Sequence, residues 1–316
     1  MSDKNVSSIA VVGSLNVDYF AKVAELPSPG ETVGSASIAK CFGGKGANQA
    51  IAAARQGAAV LLIGAVGDDE EGKEYLEMLD REPGVDLGHL RTVEDTSTGT
   101  AFITLDQRGE NTIVTASGAN AELSSGFIQS SEPKLRSCSA LLAQLEVPEL
   151  VVVEAARIAN EEEIPFILNP SPASLDFPWH EVKTDYLIVN EGEAAMILEF
   201  PPLEEDESTV RQRLHELRIE TMVVTRGREE TLCYSRNADP IVMETLPVLP
   251  IDTVGAGDAF AGCFAARIVA GAGLEEALRA ANCAGALATL GSGAQDPIPD
   301  REKVDQHLEH LRTATP

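Results

Sequence analysis

Positive charge is what this chain has least of. Eight lysines and sixteen arginines stand against fifty aspartates and glutamates, a net charge of −26 over 316 residues. A field of that sign repels polyanions, which argues against nucleic acid and anionic membrane as partners. It also opposes small anions, so a phosphate site here has to be assembled locally from backbone N–H groups, metal ions and a few cations. Long apolar runs are missing too: none approaches the roughly 20 residues that span a bilayer. The opening MSDKNVSSIAVVG lacks signal-peptide anatomy, and the expectation is a cytoplasmic protein. Cysteine is sparse. Cys41, Cys138, Cys233, Cys263 and Cys283 form no C-x-x-C pair, which suits free thiols in a reducing compartment rather than a disulfide frame or zinc site. The G-x-x-x-x-G-K-[ST] spacing of a Walker loop is absent, and the first apolar strand does not lead into G-x-G-x-x-G, which disfavours an NAD-dependent oxidoreductase.

What the chain does have is concentrated in Ile251–Phe260, reading IDTVGAGDAF. A strand-like run, METLPVLP (243–250), precedes it, and an apolar, small-residue stretch of helical character, AFAGCFAARIVAGAG (259–273), follows. A glycine-bearing turn, Gly255-Ala256-Gly257, therefore feeds a helix whose first turn carries Asp258. Free N–H groups at a helix start make an anion site, and the missing side chains let a phosphate come close. A carboxylate beside that site can take a proton from an attacking hydroxyl. Anion cradle plus base is the minimum for moving a phosphoryl group onto an alcohol. The same residues also fit a plain turn with an acid complementing the helix dipole, so other motifs have to decide.

Those motifs come in order. SIAVVG (8–13) is a short apolar strand, and SLNVD (14–18) follows at its carboxyl end, where ligands sit in α/β sheets. Asn16 and Asp18, two apart, share a side if extended; they suit a pair of hydroxyl-binding groups or a solvated turn. After a Pro/Gly turn at 27–30, SASIAKCF (35–42) reads as a strand, and GGKGANQA (43–50) opens an alanine-rich helix with Lys45 among glycines and Asn48 one turn on. Lys45 alone also fits a solvated turn. AVLLIGAVG (59–67) is a second strand, and Asp68 and Asp69 read as helix-start acids without chemistry. TGTAFITLD (98–106) and NTIVTASGAN (111–120) predict a hairpin with one covered face; with 35–42 it makes a small sheet interrupting the strand–helix alternation, suited to a lid and to dimerisation. βα units resume from 139, which implies right-handed crossovers and a parallel central sheet, and no linker divides the chain.

GSLNVD, PGETV, GGKGANQA, GDDEEG, TGTAFI, SGAN, QLE, NPSPA, NEGEA and DTVGAGDAF run in one order from Gly13 to about Pro299. In that order the chain resembles the ribokinase-like sugar kinases, and GGKGANQA with QLE favours their ribose-phosphorylating branch over nucleoside and fructose kinases. The resemblance implies a single α/β domain over 1–316: a doubly wound, mostly parallel sheet with helices on both faces, plus a small β-sheet lid from segments about 17–42 and 98–117. It implies transfer of the ATP γ-phosphate to O5 of D-ribose. Asp258 matches the catalytic base, and the N–H groups of Gly255, Ala256, Gly257 and Asp258 match the anion hole. Asn16, Asp18, Gly44, Lys45, Asn48 and Glu146 match sugar contacts. Asn190 and Glu193 match residues organising Mg2+ through water, although a capping pair would show the same N-x-x-E spacing. Thr225 and Gly227 match the nucleotide side, and Asn282 the adenine slot. Asp252 and the carbonyls of Val254, Ala288, Gly291 and Gly293 match ligands of an activating K+. The chain departs from pattern at Glu230, where a glycine is usual, and near Pro297, where a hydroxyl ligand is missing. The exposed edge or face of the small sheet makes a homodimer through the lid the expectation. A nucleoside kinase (adenosine, inosine or cytidine) with a wider, apolar-lined sugar site is the alternative within the class. A sugar-binding regulator without turnover is the alternative outside it, although no residue the chemistry needs is missing.

Overall fold

SIAVV at β1 (Ser8–Val12) and AVLLIGAVG at β4 (Ala59–Gly67) are apolar nearly throughout, as strands covered on both faces must be. They pair in parallel at the heart of the larger of two sheets. The computed structural model describes residues 8–108 and 110–313. Between and beyond these strands run β2 (Asn16–Lys22), β3 (Ser37–Gly43), α1 (Lys45–Arg55), α2 (Glu70–Leu79), β5 (Val85–Val93), β6 (Gly99–Leu105), β7 (Asn111–Ala116), α3 (Ser125–Leu135), β8 (Ala140–Gln144), α4 (Glu149–Glu161) and β9 (Phe166–Asn169). The chain continues through β10 (Thr184–Asn190), α5 (Glu191–Leu198), α6 (Glu207–Glu216), β11 (Ile219–Thr225), β12 (Thr231–Ser235), β13 (Ile241–Met243), α7 (Ala256–Val269), α8 (Leu274–Ala288) and α9 (Arg301–Thr313).

The nine-stranded sheet has the order β13-β12-β11-β10-β9-β8-β1-β4-β5, parallel from β11 to β5 with an antiparallel edge at β12 and β13. Alternate residues of each strand serve opposite faces. Ala10, Val12, Leu61 and Ile63 join the core under α3, α4, α5 and α6, whereas Ile9, Val11, Val60 and Leu62 join the one under α1, α7 and α8. The doubly wound α/β class is thus observed. A separate four-stranded sheet, β3-β2-β6-β7, is interleaved in sequence between β1 and α3. No helix among the described residues is long and apolar enough to cross a membrane.

Several elements differ from the sequence reading, and α3 and β12 are absent from it. The run 243–250 is strand only to Met243. Pro247 and Pro250 offer no N–H to a ladder, and Leu249 is 85% exposed. The second hairpin strand, β7, is exposed at every residue rather than covered on one face. The polar edge strand β5 was not foreseen.

What positions the site is the contact between α1 and its neighbours. α1 starts at Lys45 after Gly44, whose φ of 88° suits glycine. A Cβ at Gly46 would lie 2.4 Å from the Gly13 carbonyl carbon, and one at Gly262 2.5 Å from the Gln49 carbonyl oxygen. α1 is therefore pressed onto both β1 and α7, and Gly46→Ala forces backbone against backbone. That variant should lose about 1–3 kcal/mol of stability, read as a lower denaturant midpoint at unchanged slope.

Candidate active site

Asp258 occupies the first turn of α7, just after Gly255, whose φ of 76° makes the αL turn into the helix. A Cβ on Gly255 would lie 2.6 Å from the Ala294 oxygen, but one on Gly257 would meet nothing within 4 Å, so the helix start has open space beside it. The Asp258 side chain is buried and accepts two hydrogen bonds from α1. Asn48 Nδ2 donates to Oδ2 and Gln49 Nε2 to Oδ1, each at 2.9 Å. Both amides are held in turn. Gln295 Nε2 donates to Asn48 Oδ1 (2.9 Å) and to the Tyr75 hydroxyl (2.7 Å), and that hydroxyl donates to the Gly43 carbonyl.

Around this carboxylate the structure gathers residues from β2, α1 and the loop after β8. Glu146 accepts from Ser14 Oγ and from the backbone N–H of Lys45 at 3.1 Å. Asn16 Oδ1 accepts from Asn120 Nδ2 at 2.8 Å. Gly43 and Gly44 let α1's leading loop touch β2: Cβ atoms there would sit 2.3 Å from Asp18 Oδ2 and 2.6 Å from the Asn16 nitrogen. Asn16, Asp18, Gly44, Lys45, Asn48, Glu146 and Asp258 therefore share one cleft. Its charges feel one another. Burial, reinforced by Glu146 and Asp258 and opposed by Lys45, pushes the Asp18 carboxyl up to about 7. Burial works against the Lys45 ammonium, yet Asp258, Glu146, Glu193 and Asp18 hold it above its usual range.

Asn190 and Thr225 are cross-strand partners at the carboxyl ends of β10 and β11, and Gly227 follows with φ of 64°. Thr225 Oγ1 donates to the Val189 carbonyl. Asn190 and Glu193 form a reciprocal capping box on α5: Glu193 N–H donates to Asn190 Oδ1 (2.8 Å) and Asn190 N–H to Glu193 Oε2 (2.9 Å). Capping thus accounts for their spacing, and Glu193 is also among the carboxylates that raise the Lys45 ammonium. Asn282, buried in α8, accepts from Thr231 Oγ1 (2.7 Å) and donates to the Glu244 carbonyl (3.3 Å), which ties the 231–244 edge onto α8. Asp252 accepts from Val254 N–H (3.1 Å) and Gly293 N–H (3.0 Å), and Thr289, next to Ala288, accepts from the Ile251 and Asp252 N–H groups. The two loops that carry Val254, Gly291 and Gly293 are stitched together by that carboxylate.

Sequence reasoning gave no role to Gln49, Asn120, Gln144, Asn169, Tyr75 or Gln295. The first four sit inside motifs it quoted, but their partners lie about a hundred or more residues away along the chain.

A buried carboxylate at a helix start, among polar side chains at the carboxyl ends of a doubly wound sheet, is compatible with several classes, and comparison with known proteins gives the family. The chain belongs to the pfkB family of carbohydrate kinases, whose model matches residues 6–301. Within that family it is 36% identical to ribokinase from Haemophilus influenzae over 305 residues, covering 96% of this chain and 99% of the relative. It is 32% identical to deoxyribokinase from Salmonella typhi over 303 residues, covering 95% and 98%. The structure of Arabidopsis thaliana ribokinase complexed with ribose and ATP superposes with a TM-score of 0.85 at 30% identity, covering 96% of this chain and 98% of that one.

Proposed function

We propose that this carbohydrate kinase transfers the γ-phosphate of ATP to O5 of D-ribose. One observation carries the reading: Asp258, at the open start of α7, lies in the same cleft as Asn16, Asp18, Lys45, Asn48 and Glu146. Carboxylates and amides hold vicinal hydroxyls in pairs and leave buried groups unpaired when an impostor lacks one. With the sugar so held, Asp258 takes the proton of the attacking hydroxyl while the N–H groups of Gly255, Ala256, Gly257 and Asp258 receive the charge on the moving phosphoryl group.

The residues present fit the two cations this chemistry uses. Glu193 Oε1 has no partner among the described residues, and with Asn190 it would hold Mg2+ through water; when bound, that ion neutralises phosphate charge. The Asp252 carboxylate ties the loops of Val254 and Gly293 together, and with the carbonyls of Val254, Ala288, Gly291 and Gly293 it offers only oxygen donors, the chemistry that would hold K+. Thr225, Gly227 and Asn282 border the nucleotide. The small sheet closes over the sugar as a lid. It exposes Ile38, Phe102 and Val114, an apolar surface that a second copy of the chain would cover.

A substrate panel under Mg2+ and K+ tests the reading. Ribose should exceed adenosine, inosine and cytidine in kcat/KM by about 10²-fold or more, with 2-deoxyribose the nearest competitor. A nucleoside preference, or ribose binding with no ADP release, would overturn it.

A further inference from the structure

Asp258 is buried near two other carboxylates, Asp18 and Glu146, and as a base it has to keep one oxygen turned to the attacking hydroxyl. The structure answers this with a chain of side-chain amides whose direction is fixed at its far end. The Ile188 carbonyl can only accept, so Asn169 turns its Nδ2 to it (2.8 Å) and leaves Oδ1 facing Gln49. Gln49 must then present its NH2 to Asn169 Oδ1, and the same Nε2 reaches Asp258 Oδ1, both at 2.9 Å. Its own Oε1 accepts from Gln144 Nε2 at 2.6 Å. That last bond has a structural cost: Gln144 Oε1 is left buried without a partner, in the space that a Cβ on Gly13 would fill. An orphaned buried acceptor is rare and destabilising. Flipping the Gln144 amide would put two carbonyl oxygens face to face, and flipping Gln49 would put its oxygen against the Asp258 carboxylate.

We infer that Gln49, locked by Asn169 and Gln144, is a positioning residue that holds the Asp258 carboxylate in its aim at the attacking hydroxyl by presenting an N–H it cannot turn away. The inference rests on the reading of Asp258 as the base. The charged groups around Asp258 are Asp18 from β2, Glu146 from the loop after β8 and Lys45 from α1, with Glu193 from α5 acting on Lys45. Asn48 supplies the second donor. Without Gln49 the anion has one donor against two neighbouring carboxylates. The carboxylate can then rotate away from the attacking hydroxyl, and misplacing a reacting group by about 1 Å costs on the order of 10²-fold in rate.

The test is the split between kcat and KM for ribose phosphorylation by purified Gln49→Met and Gln144→Met beside Asp258→Asn. Gln49→Met preserves volume and removes the donor. Its kcat should fall about 10–100-fold with KM for ribose little changed. Gln144→Met touches neither Asp258 nor the sugar cleft and exchanges one orphaned oxygen for another, since Gln49 Oε1 loses its donor; it should fold as the parent does and lower kcat the same way by less. A merely structural role would lower Tm and leave kcat of the folded enzyme at the parental value. Should Gln49→Met fail to fold, Gln144→Met decides alone. Parental kcat in the variants that fold, with Asp258→Asn inactive, overturns the role of Gln49 and leaves the base standing. An active Asp258→Asn overturns the base itself.

Discussion

Asp258→Asn is expected to lower kcat about 10²–10⁴-fold, the range lost when a general base is deleted, while ribose still binds measurably. The substitution keeps the side-chain shape and the helix start, so the anion hole proposed at 255–258 should persist and residual turnover come from positioning and charge stabilisation. Its local cost can be read from the hydrogen bonds. Asn48 and Gln49 each aim an NH2 group at one carboxylate oxygen. An amide in place of the carboxylate meets one of them donor to donor, which should lower stability by about 1–3 kcal/mol. The loss of negative charge has a second effect of opposite sense. Asp258 is one of the causes that raise the Asp18 carboxyl, so in the variant Asp18 ionises at lower pH. Turnover by coupled ADP assay and ribose affinity by calorimetry separate these effects. Near-parental kcat with intact binding would remove Asp258 from the chemistry.

Two elements that meet at the cleft were legible in the sequence because each is a helix entered through a turn that needs glycine. GGKGANQA had to open a helix, since a left-handed Gly44 followed by alanines has few other uses, and DTVGAGDAF had to do the same at Gly255. The apolar runs at 8–12 and 59–67 could only be doubly covered strands. What could not be read is held by partners far apart in the chain. Gln295 fixes Asn48 from 247 positions away, and Gln49 reaches Asp258 across 209. Neither glutamine has a local pattern that distinguishes it from a solvated one. The edge of the main sheet failed for a different reason. β5 mixes Asp86, His89 and Arg91 into its strand period because only part of it is covered. The prolines after Met243 leave an extended segment with nothing to pair. Asn190 and Glu193 show the limit of spacing in the other direction, because N-x-x-E serves a capping box as well as a cation site.

If Asp18 serves the sugar as proposed, the cleft's function opposes the stability of the fold, with a sign set by its raised carboxyl. Its carboxyl is raised from 3.8 to about 7 in the native state, first by burial and then by Glu146 and Asp258. Between those values the native protein holds a proton that the unfolded chain has released, so the native state binds more protons and stability falls as pH rises through the window. Below about pH 4 both states are protonated and the penalty is nil; above about pH 7 it is complete, up to about 4 kcal/mol. Asp18→Asn is neutral throughout. It should therefore match the parent near pH 4 and exceed it increasingly toward pH 8, while losing ribose affinity because an anionic acceptor of hydroxyl protons is gone. Denaturant titrations at pH 4, 5.5 and 8 check the first part; a stability difference that does not change with pH would sink it. The same proton links to substrate. If ribose is bound by the ionised form, binding at pH 6 releases a proton and binding at pH 8 does not. Calorimetry in two buffers of different ionisation enthalpy should show that difference in the parent and none in Asp18→Asn.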